Sequence, residues 1–240
     1  MKFLTVVVSM VCLFSCSLSI NKVTVTHFDP SRVIARVSLK KDRVTYSIGS
    51  AVLVDVVKKT DHHELLFMTA KHVVKEPNGA YPTVQFFDYT SYYGKELPVV
   101  KIIHHPDGLD LSILVVHSTR EYYPILFSKS PLIPLIEVMA IGYPADVGLV
   151  TSLGLLSNPE SRHDNGVVRY WICTAATYFG GSGGAVVERE SGNLIGIVLM
   201  IGYDEGPRGE AIPLPNLNYF LPIKFVVQWI KTVRKSRQLV

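Results

Sequence analysis

The chain has 240 residues, 48% of them hydrophobic, with 24 Lys and Arg against 20 Asp and Glu for a formal net charge of +4. Such a composition can bury a sizeable core and excludes a disordered chain. The basic excess gathers at the end, in Lys224, Lys231, Arg234, Lys235 and Arg237; a nucleic-acid footprint needs basic residues interleaved with aromatics along one face, so no nucleic-acid partner is expected and the solvated face of a last helix is the reading.

Residues 1–19 open with Lys2, run apolar from Phe3 to Phe14 and end in Ser15-Cys16-Ser17-Leu18-Ser19. That is the layout of a secretory leader, and the apolar run is short for a spanning helix. Cleavage is expected after Ser17 or Ser19. The alternatives are a lipoprotein-type cut before Cys16 and retention as a membrane tether. The protein is accordingly expected to be secreted or periplasmic, or held at a membrane. Cys12 and Cys16 lie in the leader, which leaves Cys173 without an internal disulfide partner. In the apolar run Tyr170-Trp171-Ile172-Cys173 it reads as a core thiol rather than a nucleophile.

From Val33 onward, short runs rich in Val, Ile, Leu, Phe and Tyr recur between Gly, Pro, Asn and Asp clusters. The expected strands are Val33–Leu39, Ser50–Val57, Leu65–Thr69, Thr83–Phe87, Val99–His104 and Leu111–Val116, then Val138–Ile141, Gly148–Leu156, Val168–Ile172, Gly184–Glu188 and Leu194–Ile201. So many runs exceed one small sandwich. They predict an all-β fold of two six-stranded antiparallel barrels, each closing its own edges. Pro124, Pro131 and Pro134 interrupt pairing between Ser118 and Pro134, since proline has no N–H for a ladder. The division that follows is a first barrel over 20–122 and a second over 123–240. Ile223, Val226, Val227, Ile230 and Val233 recur at helical spacing. They predict a C-terminal helix packing its stripe on the second barrel.

Gly180-Gly181-Ser182-Gly183-Gly184 sets a serine between glycine pairs. Glycine reaches backbone angles closed to other residues and lets a carbonyl approach main-chain N–H groups. A nucleophilic serine needs that setting, because its attack creates an oxyanion; the N–H groups of Gly180 and Ser182 are the candidate donors. The same five residues fit Gly-x-Ser-x-Gly, the elbow of α/β-hydrolases, in which the histidine follows the serine. Here every histidine precedes Ser182, and that reading fails. The best upstream base is His72, where the apolar run Leu65–Thr69 ends. Its partner is Asp110, an acid heading the apolar run Leu111–Val116, costly there unless hydrogen-bonded. The pairs His62-His63 and His104-His105 point to opposite faces of a strand, with no carboxylate or thiolate at ligand spacing. No metal and no cofactor are expected. His104 and His105 can at most tune the triad.

Several motifs in one order resemble the chymotrypsin-like serine peptidases, and within them the bacterial-type high-temperature-requirement proteases. Thr69-Ala70-Lys71-His72-Val73-Val74 is similar to the histidine motif and Leu109-Asp110-Leu111-Ser112-Ile113-Leu114 to the aspartate motif. Ala140–Pro144 and Val150–Gly154 resemble the opening of the second barrel, Thr174-Ala175-Ala176 with Gly180–Gly184 the serine motif, Asn193–Ile197 the pocket strand, and Tyr219–Ile223 the run into the last helix. The resemblance implies a chymotrypsin-like fold, a His72, Asp110 and Ser182 triad, and a protein or peptide substrate. It implies a pocket lined by Ala176 and Thr177 on one side and Val198, Leu199, Met200, Ile201 and Gly202 on the other. With no acid there, cleavage after Val, Ala, Leu or Ile is expected. Gly181 stands where digestive enzymes carry an Asp, so activation by a freed N-terminus is not expected, and neither is an appended peptide-binding module. The alternatives are a viral polyprotein processor of the same fold and a catalytically silent, peptide-binding barrel pair.

Overall fold

The structure is a computed structural model that describes residues 28–238 except 43, 76–78, 130 and 163–168. The leader expected over 1–19 lies outside the described residues. Seven strands form the first half: β1 (Ile34–Lys41), β2 (Val44–Lys58), β3 (His63–Ala70), β4 (Tyr81–Asp88), β5 (Tyr92–Tyr93), β6 (Leu97–His104) and β7 (Leu111–Ser118). They run in the order β1-β2-β3-β7-β6-β4, and β4 returns to β1 to close the barrel. The two-residue β5 adds to β4. The second barrel closes as β10-β13-β12-β11-β8-β9, from β8 (Glu137–Gly142), β9 (Val150–Arg162), β10 (Arg169–Cys173), β11 (Ala185–Glu188), β12 (Leu194–Glu205) and β13 (Ala211–Pro222). All these pairings are antiparallel.

Each of the eleven expected runs overlaps a strand. In β3 every residue after His63 is buried, because one face lines the barrel and the strand also meets β12 of the other half. The fifteen residues of β2 stay in one strand by bending at a bulge between Leu53 and Asp55. One apolar cluster runs through both barrels, from Val37, Phe67 and Leu114 to Ile141, Ile197 and Leu221. A second, with Trp171, Leu156, Val186 and Phe220, fills the far barrel. Cys173 belongs to it, buried with its thiol pushed up to about 11 by burial.

The helix α1 (Val227–Gln238) forms as expected, but its packing corrects the expectation. It crosses back to lie on β2 of the first barrel rather than on the second. Ile230 and Val233 are buried in the shared cluster, each contributing about 1.5–3 kcal/mol of apolar burial. Acids fix the direction: Arg234 faces Asp55 at 3.4 Å and Arg237 forks onto Glu64, whose side chain is 4% exposed. The C-terminal cations are therefore only partly a solvated face.

The two barrels are also tied by charge. Arg36 on β1 holds Asp146, in the turn between β8 and β9, by two hydrogen bonds of 2.5 and 2.9 Å, and Tyr93 donates to the same carboxylate. The Arg36 bonds hold the Asp146 carboxyl below its ordinary range. We expect Asp146→Asn to cost about 1–3 kcal/mol in urea unfolding at neutral pH, less than a fully buried pair because Asp146 is 35% exposed. The folded value is depressed, so this stability is complete above the ordinary aspartate value of 3.8 and lost as pH falls through the lower folded one. Wild type and variant should therefore converge in acid; an undiminished gap at low pH contradicts the pairing.

Candidate active site

The ladder between β3 and β7 pairs Ala70 with Leu111. Just past that pair, two residues on from Ala70 and one before Leu111, His72 and Asp110 come side by side although 38 apart in sequence. His72 sits in a single 3-10 turn, Lys71–Val74. Asp110 follows a turn in which Gly108 takes φ +75°, a left-handed angle that suits glycine. The carboxylate accepts the His72 main-chain N–H at 2.9 Å and the ring at Nδ1 at 2.6 Å. Both oxygens are thus spent on one residue. With Nδ1–H donating to the acid, Nε2 is left as the acceptor, as a general base requires.

Ser182 lies on the loop between β10 and β11, in the other barrel. The loop is shaped by turns in which Gly181 N–H reaches the Tyr178 carbonyl (2.8 Å) and Gly184 N–H the Gly181 carbonyl (2.9 Å). Gly183 N–H is taken by Val198 at 2.7 Å. Among the described residues no protein acceptor takes the N–H of Gly180 or Ser182. Gly180 at φ +92° and Gly183 at φ +84° need glycine for their angles. A Cβ on Gly183 would also stand 2.1 Å from the Ser50 carbonyl oxygen.

Ser50, buried on β2, was not legible as a site residue. Its N–H donates to the Ser182 carbonyl at 2.8 Å. Its hydroxyl donates to the Gly180 carbonyl at 2.8 Å and accepts the Tyr143 N–H at 2.9 Å. Thr69 in turn donates to the Ser50 carbonyl at 2.7 Å. One serine of the first barrel therefore stitches down the serine loop of the second.

His72, Asp110 and Ser182 line one cleft of about 350 Å³ with Thr177, Val198, Leu199, Met200 and Ile201. Of the expected pocket residues, Ala176 and Gly202 are outside its lining; the Ala176 N–H is tied to Ser152 Oγ at 2.9 Å. Three exposed aromatics missed in the sequence, Tyr178, Phe179 and Tyr203, form its rim. The Ser182 hydroxyl donates to the Leu199 carbonyl at 3.3 Å instead of to His72. His105 is buried edge-on against Trp229 of α1, at 4.7 Å between ring centres. Burial holds its imidazole below the ordinary range.

A fold of paired barrels with a His–Asp pair facing a glycine-flanked serine defines a class, and the comparison with known families agrees. The trypsin-like peptidase domain matches residues 49–197, and the chain belongs to that family, the chymotrypsin-fold serine peptidases. Among solved structures it is similar to an HtrA-type protease, AlgW, in a serine-to-alanine variant with a tripeptide. The TM-score is 0.65 at 21% identity, over 85% of this chain and 60% of that one. At that identity the likeness is one of fold, and the match spans less than two thirds of that chain. No curated protein matches the chain.

We expect Ser50→Ala to lower stability by about 1–3 kcal/mol, since it strips a buried N–H of its acceptor. Peptide turnover should fall mainly in kcat, because the loop carrying Ser182 loses its anchor while the pocket side chains remain. A loss confined to KM would show that Ser50 does not position that loop.

Proposed function

We propose that the protein is a serine endopeptidase in which Ser182 is the nucleophile, His72 the general base and Asp110 the group that orients it. The observation that carries the reading is the two-point grip of Asp110 on His72, which turns the free ring nitrogen toward the cleft shared with Ser182. In this reading Nε2 takes the hydroxyl proton as Oγ attacks the peptide carbonyl. The oxyanion is met by the N–H groups of Gly180 and Ser182, worth roughly 3 kcal/mol for one donor. Collapse breaks the C–N bond, and His72 returns the proton to the leaving amine. Water then repeats the sequence on the acyl-enzyme.

The hydroxyl must first leave Leu199. A separation of 3.3 Å is long for an O–H···O bond, and a change of one staggered rotamer re-aims the oxygen. Leu199 lies where the β12–β13 register slips between Val198 and Met200, which supports a carbonyl diverted from the ladder. An extended substrate laid along β12 draws on that same edge and leaves the serine to His72.

The pocket side chains Val198, Leu199, Met200 and Ile201 are aliphatic or thioether, and the acid in the cleft, Asp110, is engaged by His72. We read a preference for small or medium aliphatic residues before the scissile bond. Each buried methylene adds about 0.8 kcal/mol, whereas an unpaired charge loses its hydration. Cleavage profiling on a peptide library should be dominated by Val, Ala, Leu or Ile there; domination by Arg, Lys, Glu or Gln refutes the pocket. The leader sequence supports export, tested by N-terminal sequencing of the product from a secreting host.

A second reading, a peptide-binding barrel pair without turnover, draws on the bond from Ser182 to Leu199. An organophosphonate probe separates the two. We expect labelling at Ser182 and a fall in turnover of about 10⁴-fold or more for Ser182→Ala and for His72→Ala, with the double variant little worse than either. An unlabelled, inactive wild-type chain sinks the peptidase.

A further inference from the structure

At the far end of β3 from the triad, three potential ligands converge. Residues two apart on an extended chain share a face, so His62 and Glu64 point the same way. The antiparallel register puts His117 of β7 directly opposite Glu64. Glu64, two residues on from His62, supplies a carboxylate on the same strand, and the second histidine of the group comes across the ladder from β7. The ligand atoms of His62, Glu64 and His117 all lie within 4.8 Å of one another. The two imidazoles are 4.3 Å apart between ring centres, and His117 Nε2 is 3.7 Å from Glu64 Oε1.

A second observation points to a ligand. His62 Nδ1 is bonded to Asp61 Oδ1 at 2.7 Å, and its Nε2 is buried with no hydrogen-bond partner. A carboxylate on one imidazole nitrogen fixes the tautomer and leaves the other as a lone-pair donor, the arrangement that orients metal-bound histidines. An unpartnered buried nitrogen is costly, and a metal ion would satisfy it.

We propose that His62 Nε2, Glu64 Oε1 and His117 form a site for a divalent metal of the zinc class, with water as the fourth ligand. Two histidines and a glutamate are a donor set suited to zinc. Ligand atoms about 2 Å from a tetrahedral ion stand roughly 3.3 Å from one another, and rotation of the half-exposed His117 closes most of the difference. Arg237 already holds Glu64, through Nε to Oε2 at 2.8 Å and Nη2 to Oε1. The metal takes Oε1 and leaves Arg237 the other oxygen, so the ion links the ends of β3 and β7 to α1. Six residues of strand, about 20 Å at the usual rise, separate Glu64 from Ala70, which keeps this site apart from the catalytic cleft. It acts on the fold.

The test uses the full chain, stripped of metal. Calorimetric titration with Zn²⁺ should give one site per chain, and Co²⁺ should give a spectrum without a thiolate charge-transfer band, excluding Cys12, Cys16 and Cys173. Affinity should fall at least 10-fold in His62→Ala and in His117→Ala and persist in His72→Ala. Thermal unfolding should shift upward with Zn²⁺ in wild type and not in the two former variants. Unchanged affinity in either of them, a thiolate band, or loss of binding in His72→Ala overturns the proposal; circular dichroism checks that each variant is folded.

Discussion

The serine loop of one barrel is held by main-chain and hydroxyl bonds to a single residue of the other. Ser50 fixes the Ser182 carbonyl with its N–H and the Gly180 carbonyl with its hydroxyl, so the conformation of the loop is set by the docking of the barrels. A separate second barrel would leave those two carbonyls to water. The requirement explains why one apolar cluster passes through both halves rather than stopping at each barrel wall. The His–Asp pair is complete within the first barrel, but the cleft it shares with Ser182 needs the seam to be closed.

The seam is closed by apolar burial at its centre and by charge at its flanks. Arg36 reaches across to Asp146, and α1 crosses back to place Arg234 and Arg237 on Asp55 and Glu64. These acids sit on or against strands too apolar to leave a carboxylate unpaired. Since the described part of the chain holds only Cys173, which is buried, packing and ion pairs carry what disulfides carry in stapled secreted domains.

Much of this was legible in the sequence, for identifiable reasons. Strands such as β3 and β7 announce themselves by dense apolar runs, Leu65–Met68 and Ile113–Val116, and His72 and Asp110 by standing at the ends of such runs. β13 escaped notice because Pro213, Pro215, Asn216 and Asn218 read as a loop. Its outer part pairs only with β12, and proline is tolerated where the other edge is free. Periodicity revealed the stripe of α1 but not its partner, which is chosen by acids on β2 and β3 distant in sequence. Ser50 looks like any small residue in an apolar strand, since its role exists only after the second barrel arrives. The rim of Tyr178, Phe179 and Tyr203 is likewise assembled from two separate segments.

The same geometry couples stability to the site. The turn that holds Asp146 also carries Tyr143, whose N–H is bonded to Ser50, and Ala145, whose N–H reaches the Phe179 carbonyl at 2.6 Å. A Cβ on Gly180 would meet the Tyr143 carbonyl at 2.5 Å, so the turn and the serine loop are in direct contact. Ala145 and Asp146 both take left-handed angles, φ +51° and +57°, which non-glycine residues hold only when their surroundings impose them. The surroundings here are Arg36 and Tyr93 of the first barrel. An ion pair that is ordinary in stability terms thereby supports a strained turn, and through it the loop presenting Gly180 and Ser182. Damage to the flank of the seam should reach the cleft without any cleft residue being changed.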